Sequence, residues 1–418
     1  MLKNGPHIVA DIVIVGAGLI GSSTAMHLSS MVEKSIAVVD LDLAGIFSSS
    51  ELNAGGVRAT WNHPVNASLS KFSIDYYESI SSQIGFLQRG YTWMYPKQSW
   101  ERARSILQSN DQLSGLGIQY LSPGELNQQF PFIDKTEDLG GATYSPKDGL
   151  LNPNLLKLHY REKARHKGVV FRDRIWIHGA VRNANGSWSL RAWQWSSDLS
   201  EHELKDILLG SRDKPGDATP PLHAQEVTIE AGVLVNCSGA WARRFAGLLG
   251  VACVSQPLRR QVSLFDCKEA DLSKYGMFVD SSGVYFHPEG TSILSGYATP
   301  DEPNGYNLDY DGEEFFNERI WPSLYERSTK FENLKHVTGW AGLYEVSPDH
   351  SAIIGKVAGL NNVFEAHSFS GRGAMQSYGA GLGVAELIAF DKYQTLNLQV
   401  LSGERFALGQ SVAENLII

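Results

Sequence analysis

Apolar residues run almost unbroken through DIVIVG, residues 11–16, and again through Ile36–Val39 before Asp40. Continuous runs of this kind mark strands covered on both faces, as in a parallel sheet. Between them SSTAMHLSSM reads as a helix, so the chain opens on strand, turn, helix and strand. Around residues 283–298, GVYFHPEGTSILSGYA, apolar and polar positions alternate instead, as in an antiparallel sheet with one covered face. Two apolar strands, SWSLRAWQW and VTIEAGVLVN, flank residues 196–226, which are polar and rich in proline, glycine and charge. That stretch reads as an exposed excursion without a catalytic role, with a short helix at Glu201–Leu209. VTIEAGVLVN stops close to Ser238-Gly239-Ala240 and turns directly into a helix, and a long helix follows Ser370-Gly371-Arg372-Gly373.

Composition narrows the class. A chain of 418 residues exceeds most single cores, so two domains are expected. No apolar run approaches the roughly 18 residues of a membrane span, and MLKNGPHIVA lacks the apolar core of a secretion signal. Cys237, Cys253 and Cys267 are odd in number and lack metal-ligand spacing. They point to reduced thiols, no metal site and a cytoplasmic location. A net charge of −9 argues against a nucleic-acid partner.

The opening turn carries the first chemistry. Gly16-Ala17-Gly18-Leu19-Ile20-Gly21 has the spacing G-x-G-x-x-G. Gly16 serves the tight turn, Gly18 the approach of backbone to a pyrophosphate, and Gly21 close helix packing. The following helix aims its N-terminal amides at the phosphates. Asp40 ends the second strand at the spacing expected of an acid that accepts bonds from an adenosine ribose. The ligand is an adenine dinucleotide, and this stretch leaves FAD and NAD both open. A loop rich in small side chains, FSSSELNAGGVRATW at residues 47–61, suits phosphates and a flat ring.

Four motifs, NAGGVR (53–58), PLRRQ (257–261), WAGLYEVSPD (340–349) and FSGRGAMQ (369–376), resemble the D-amino-acid-oxidase-like family of FAD oxidoreductases. The resemblance covers nearly the whole chain, and its nearest branch is the sarcosine oxidase, dimethylglycine dehydrogenase and glycine oxidase group. It implies an α/β fold, with a Rossmann-like FAD domain and an inserted α+β substrate domain built on an antiparallel sheet. The FAD domain is expected at 1–85, 149–255 and 336–400, the substrate domain at 86–148 and 256–335, and an extension at 401–418.

The resemblance implies FAD contacts from Gly16, Gly18, Leu19, Ile20, Gly21 and Asp40. It adds Ser48, Ser49, Ala54, Gly55, Gly56 and Val57 from the loop, Ile177, Ser238 and Gly239 from later strands, and Gly342. Ser370, Gly371, Arg372, Gly373, Ala374 and Met375 complete the set, the helix N-terminus stabilising negative charge on a reduced flavin ring. Arg58, Tyr344 and His287 are the catalytic candidates, weighed against a surface arginine, a core tyrosine and a satisfied core histidine. Gly342 stands where sarcosine oxidases carry a flavin-bonded cysteine, and His63 is out of register with the histidine that other branches attach, so noncovalent FAD is expected. Leu294 and Met375 replace two lysines of those oxidases, one that activates oxygen and one that holds substrate carboxylate. Charge in the pocket is then left to Arg259, Arg260, His287 or Arg372, with one of the first two in an interdomain ion pair.

The implied reaction is hydride transfer from a secondary amine or amino acid to the flavin N5, giving an imine. The acceptor is oxygen or an unidentified carrier, with a dehydrogenase favoured. The alternatives are oxidation of a 2-hydroxy acid or polyol phosphate, and a flavin-containing assembly protein without turnover.

Overall fold

Ile12 and Ile14 enter one core while Val13 enters another on the opposite side of the strand, so both faces of His7–Val15 are covered, as the unbroken apolar run requires. In the computed structural model, residues 7–210, 221–414 and 416 are described. Expectations for the first six residues, for 211–220 within the excursion, and for 415, 417 and 418 lie outside them.

His7–Val15 pairs in parallel with Ile36–Val39 on one side and Ala224–Asn236 on the other. Val170–Arg172 and Val363–His367 extend this sheet in parallel, and Ile353–Lys356 adds an antiparallel edge. Helices Leu19–Leu28, Pro153–His166 and Gly373–Phe390 pack together over one face. The other face is covered through Phe245 and Leu249, with the antiparallel pair Ile175–Arg182 and Trp188–Trp195 branching from Ala224–Asn236.

A second sheet runs in the order Leu334–Val346, Gln256–Cys267, Ser292–Tyr297, Tyr285–Glu289, Met277–Val279, Tyr91–Pro96, Leu139–Ser145 and Gln119–Leu121. Its pairings are antiparallel except between Met277–Val279 and Tyr91–Pro96. Phe130, Phe132, Phe278, Phe286 and Phe331 fill one face, while Tyr91, Met277, Tyr285 and Leu294 pack on the other. This is the α/β architecture with an added antiparallel sheet that the sequence implies. Leu334–Val346 spans the expected boundary at 336 and pairs along its length with Gln256–Cys267.

The excursion after Trp195 corrects one expectation. Glu201–Leu209 is a helix, begun by a capping box between Ser200 and Glu203. It is not exposed throughout: Leu204, Ile207 and Leu208 are buried against Leu41, Trp193 and Trp195. Their i, i+3, i+4 spacing gives the helix an apolar stripe that has to be covered.

Candidate functional site

A Cβ on Gly16, whose φ is +99°, would stand 2.3 Å from the carbonyl oxygen of Cys237, and one on Gly21 would stand 1.9 Å from that of Gly16. Glycine alone lets the first strand, the first helix and the end of Ala224–Asn236 meet this closely. Gly21 lies behind the turn. Gly16, Gly18, Leu19 and Ile20 line a cavity of about 860 Å³. Asp40 ties the turn to the second strand, accepting from the amides of Ala17 (2.6 Å) and Asp42 (3.1 Å). Burial raises its carboxyl above the usual range, opposed by those amides and by Arg161. Ser50 Oγ accepts from the Leu19 amide at 3.0 Å, so the serine loop is fastened to the glycine turn.

The cavity passes Asp40, Ser48, Ser49, Ile177, Ser238 and Gly239 and reaches Tyr344, Gly371, Gly373 and Ala374. The last two begin the helix Gly373–Phe390, whose first amides have no partner within the helix and favour negative charge. Trp176, Trp193, Trp195 and Trp241 also wall the cavity, as do Ile207 and Leu208 of the excursion. Trp241 Nε1 and Arg244 Nη1 both donate to the Leu208 carbonyl at 2.8 Å. Sequence reasoning gave that helix no role, although its apolar stripe was the available signal.

A second chamber of about 40 Å³ shares Asn53, Tyr344 and Gly371 with the first cavity. Ala54, Gly56, Arg58, Ser370, Arg372 and Met375 line it together with Trp61, Tyr91, Met277, Tyr285 and Leu416. These last five and Asn53 were not predicted; the four on the second sheet and beyond helix 373–390 come from segments with no motif. Besides Gly21, four of the expected cofactor and catalytic residues line neither cavity. Gly55 takes φ +75°, and a Cβ there would lie 2.4 Å from the Leu151 carbonyl. Val57 is buried in the pair with Gly149, and Gly342 faces Leu52. His287 is buried, with Nδ1 2.9 Å from the Pro288 carbonyl. Burial holds its imidazole below the ordinary range, which keeps it neutral.

Two buried guanidiniums flank Trp61, Arg58 at 3.6 Å and Arg372 at 4.9 Å from the ring centre. Arg58 donates to the carbonyls of Thr60 (2.7 Å) and Leu416. Arg372 is 1% exposed and none of its three nitrogens has a protein partner among the described residues. Burial lowers it to about 10, opposed by the charge of Glu414 and reinforced by Arg58. Arg259 is not in an interdomain pair: it bonds Glu302 and Asp311, each at 2.7 Å, within the 256–335 segment. Arg260 lies 5.4 Å from the Tyr344 ring centre. Glu345 is buried beside the large cavity, and burial raises its carboxyl to about 7. Leu294 is buried opposite His287 and Leu264. His63 Nδ1 accepts from Val65 at 3.3 Å, capping the helix Pro64–Ser79.

Among the described residues no group of three or more His, Cys, Asp or Glu is arranged to hold a metal, and no helix is long and apolar enough to cross a membrane.

The family model described as FAD dependent oxidoreductase (DAO) matches residues 11–387. FAD-dependent oxidoreductase domain-containing protein 1 of Bos taurus is 28% identical over 98% of this chain and 87% of its own. Dimethylglycine dehydrogenase, mitochondrial, of Homo sapiens is 22% identical over 89% of this chain and 42% of its own. L-proline dehydrogenase from P. horikoshii has a similar structure, with a TM-score of 0.79 and 21% identity, covering 97% of this chain and 100% of that one.

Proposed function

This chain belongs to the DAO family of FAD-dependent oxidoreductases, and from that premise we propose that it oxidises the C–N bond of a secondary amine or amino acid to an imine, which water then hydrolyses. The observation that carries this reading is the junction at Asn53, Tyr344 and Gly371, where a dinucleotide-sized cavity meets a small aromatic chamber. The close-packed glycine turn, Asp40 and the start of the helix Gly373–Phe390 fit FAD, and no covalent attachment is proposed. FAD bound there supplies the hydride acceptor.

The chain's own residues do the rest. Trp61, Tyr91, Tyr285 and Tyr344 exclude water from the chamber, and burial raises the three phenols, so they stay neutral. Two guanidiniums disfavour an ammonium beside them, so the amine enters neutral, with its nitrogen lone pair available. No carboxylate or imidazole lines the chamber among the described residues, and a neutral amine needs none. A 2-hydroxy acid would require a base at its hydroxyl, which weighs against that alternative. Arg372, without a hydrogen-bond partner among the described residues, is read as the group that faces a substrate carboxylate, in the absence of a lysine at Met375. Leu294, aliphatic and buried, supports a dehydrogenase that passes electrons to a carrier rather than to oxygen. Three unpaired cysteines support a reducing compartment, and the cytoplasm is the one proposed.

Anaerobic mixing of the FAD-loaded protein with N-methyl amino acids, amino acids and 2-hydroxy acids tests the reading. Amine substrates should bleach the flavin band at about 450 nm, and air admitted afterwards separates oxidase from dehydrogenase. Bleaching by hydroxy acids alone, or by nothing in the panel, overturns it.

A further inference from the structure

The stretch beyond the long helix Gly373–Phe390 returns to the chamber, and buried polar groups fasten it there. Arg405 donates to both oxygens of Asp349 at 2.8 Å, and the Val412 amide donates to the same carboxylate at 2.9 Å. Ser351 Oγ donates to the Val412 carbonyl at 2.5 Å. The Glu414 carboxylate accepts from the amides of Asn62 (3.3 Å), His63 (3.2 Å) and Leu416 (3.2 Å). The last of these bonds reaches Leu416 itself. Its side chain is 7% exposed, packs in the cluster of Trp61 and Met375, and faces the chamber, while its carbonyl takes a bond from Arg58.

Covering an apolar core requires no such set of buried charges, whose desolvation is expensive unless every group is bonded. The bonding holds one backbone carbonyl and one aliphatic side chain at a fixed place against the chamber. We infer that Leu416 is a specificity-determining wall that sets the size of substrate the chamber admits, and that Arg58 is a positioning residue holding this wall. The inference rests on the chamber being the substrate site, as argued above. A compact carboxylate-bearing amine fits against Leu416. One with a bulky substituent meets the leucine and the carbonyl that Arg58 holds, neither of which can withdraw without breaking the bonds of Glu414 and Arg58 to Leu416.

The test uses FAD-loaded protein and the shift of the flavin absorption band on titration with acetate, benzoate and 1-naphthoate. The native protein should respond to acetate and reject naphthoate. Leu416→Ala should tighten naphthoate binding at least about tenfold while changing acetate by less than about twofold, since added pocket volume acts only on ligands that reach it. Arg58→Lys keeps the charge but loses the two-carbonyl fork, and should relax the size limit in the same direction. Unfolding midpoints of each variant separate this from a general loss of stability, which would weaken all probes together. An unchanged size order in Leu416→Ala overturns the wall, and so does an equal change for every probe. If no carboxylate perturbs either protein, the anion-holding reading of Arg372 fails. The secondary amines pyrrolidine and dibenzylamine, which carry no carboxylate, then carry the same comparison, and silence to both series overturns the wall as well.

Discussion

A Cβ on Gly371 would lie 2.6 Å from Cε2 of Tyr344, so the tyrosine ring fills the space left by the missing side chain, at the junction of the two cavities. Gly371 also takes φ +90°, and Ser368 and Ser370 hold φ +61° and +51° just before it. The turn ahead of the long helix is thus a left-handed run fitted to one aromatic ring.

Gly371→Ala should destabilise the protein by about 1–3 kcal/mol, through the positive φ and through displacement of the ring. FAD affinity should fall with it. In a Tyr344→Ala background the clash disappears while the backbone cost stays, so a double-mutant cycle on unfolding free energies should show positive coupling. Additive effects would mean that the ring moves aside freely.

Asp40 holds two loop amides, and a carboxylate has acceptor capacity left for a ribose. Asp40→Asn should weaken FAD binding about 10- to 100-fold, read by fluorescence titration of apoprotein, with the fold retained. An affinity within about twofold of native would remove Asp40 from the cofactor site.

Arg372 makes a prediction with opposite signs. Arg372→Met replaces a buried guanidinium that has no hydrogen-bond partner among the described residues and should stabilise the apoprotein by about 1–3 kcal/mol. The same change should weaken a carboxylate-bearing ligand by about 100-fold. Urea unfolding and ligand titration on one preparation read both, and a loss of stability would assign Arg372 a structural role instead.

The Glu345 carboxyl, raised from 4.5 to about 7 by burial, sets a pH dependence. Its contribution is fully present below pH 4.5, where both folded and unfolded forms hold the proton. It is lost as pH rises through about 7, because the unfolded chain ionises first. Glu345→Gln apoprotein should therefore be more stable than native above pH 7, by at most about 3 kcal/mol. The gap should close toward pH 4.5, and a difference independent of pH in urea unfolding would contradict this origin.

Much of the nucleotide end was legible in the chain itself. The run 11–16, the glycine spacing and Asp40 lie within 30 residues of sequence and report backbone requirements, namely a buried strand, a turn that tolerates no Cβ and a helix start. The start of Glu201–Leu209 was equally local, because a capping serine and glutamate announce it.

What only the tertiary structure decided is which side chains face each other. Arg259 finds its acids within its own segment, and His287 does not line the chamber that Tyr285 lines. Arg58 meets a carbonyl 358 residues away in sequence, and the helix Glu201–Leu209 lines the cavity through Ile207 and Leu208. Spacing along a strand or helix determines the face a residue shares with its neighbours, because backbone geometry is periodic. Whether that face meets solvent, a cofactor cavity or another charge depends on distant elements packed against it, and no local pattern contains that sum.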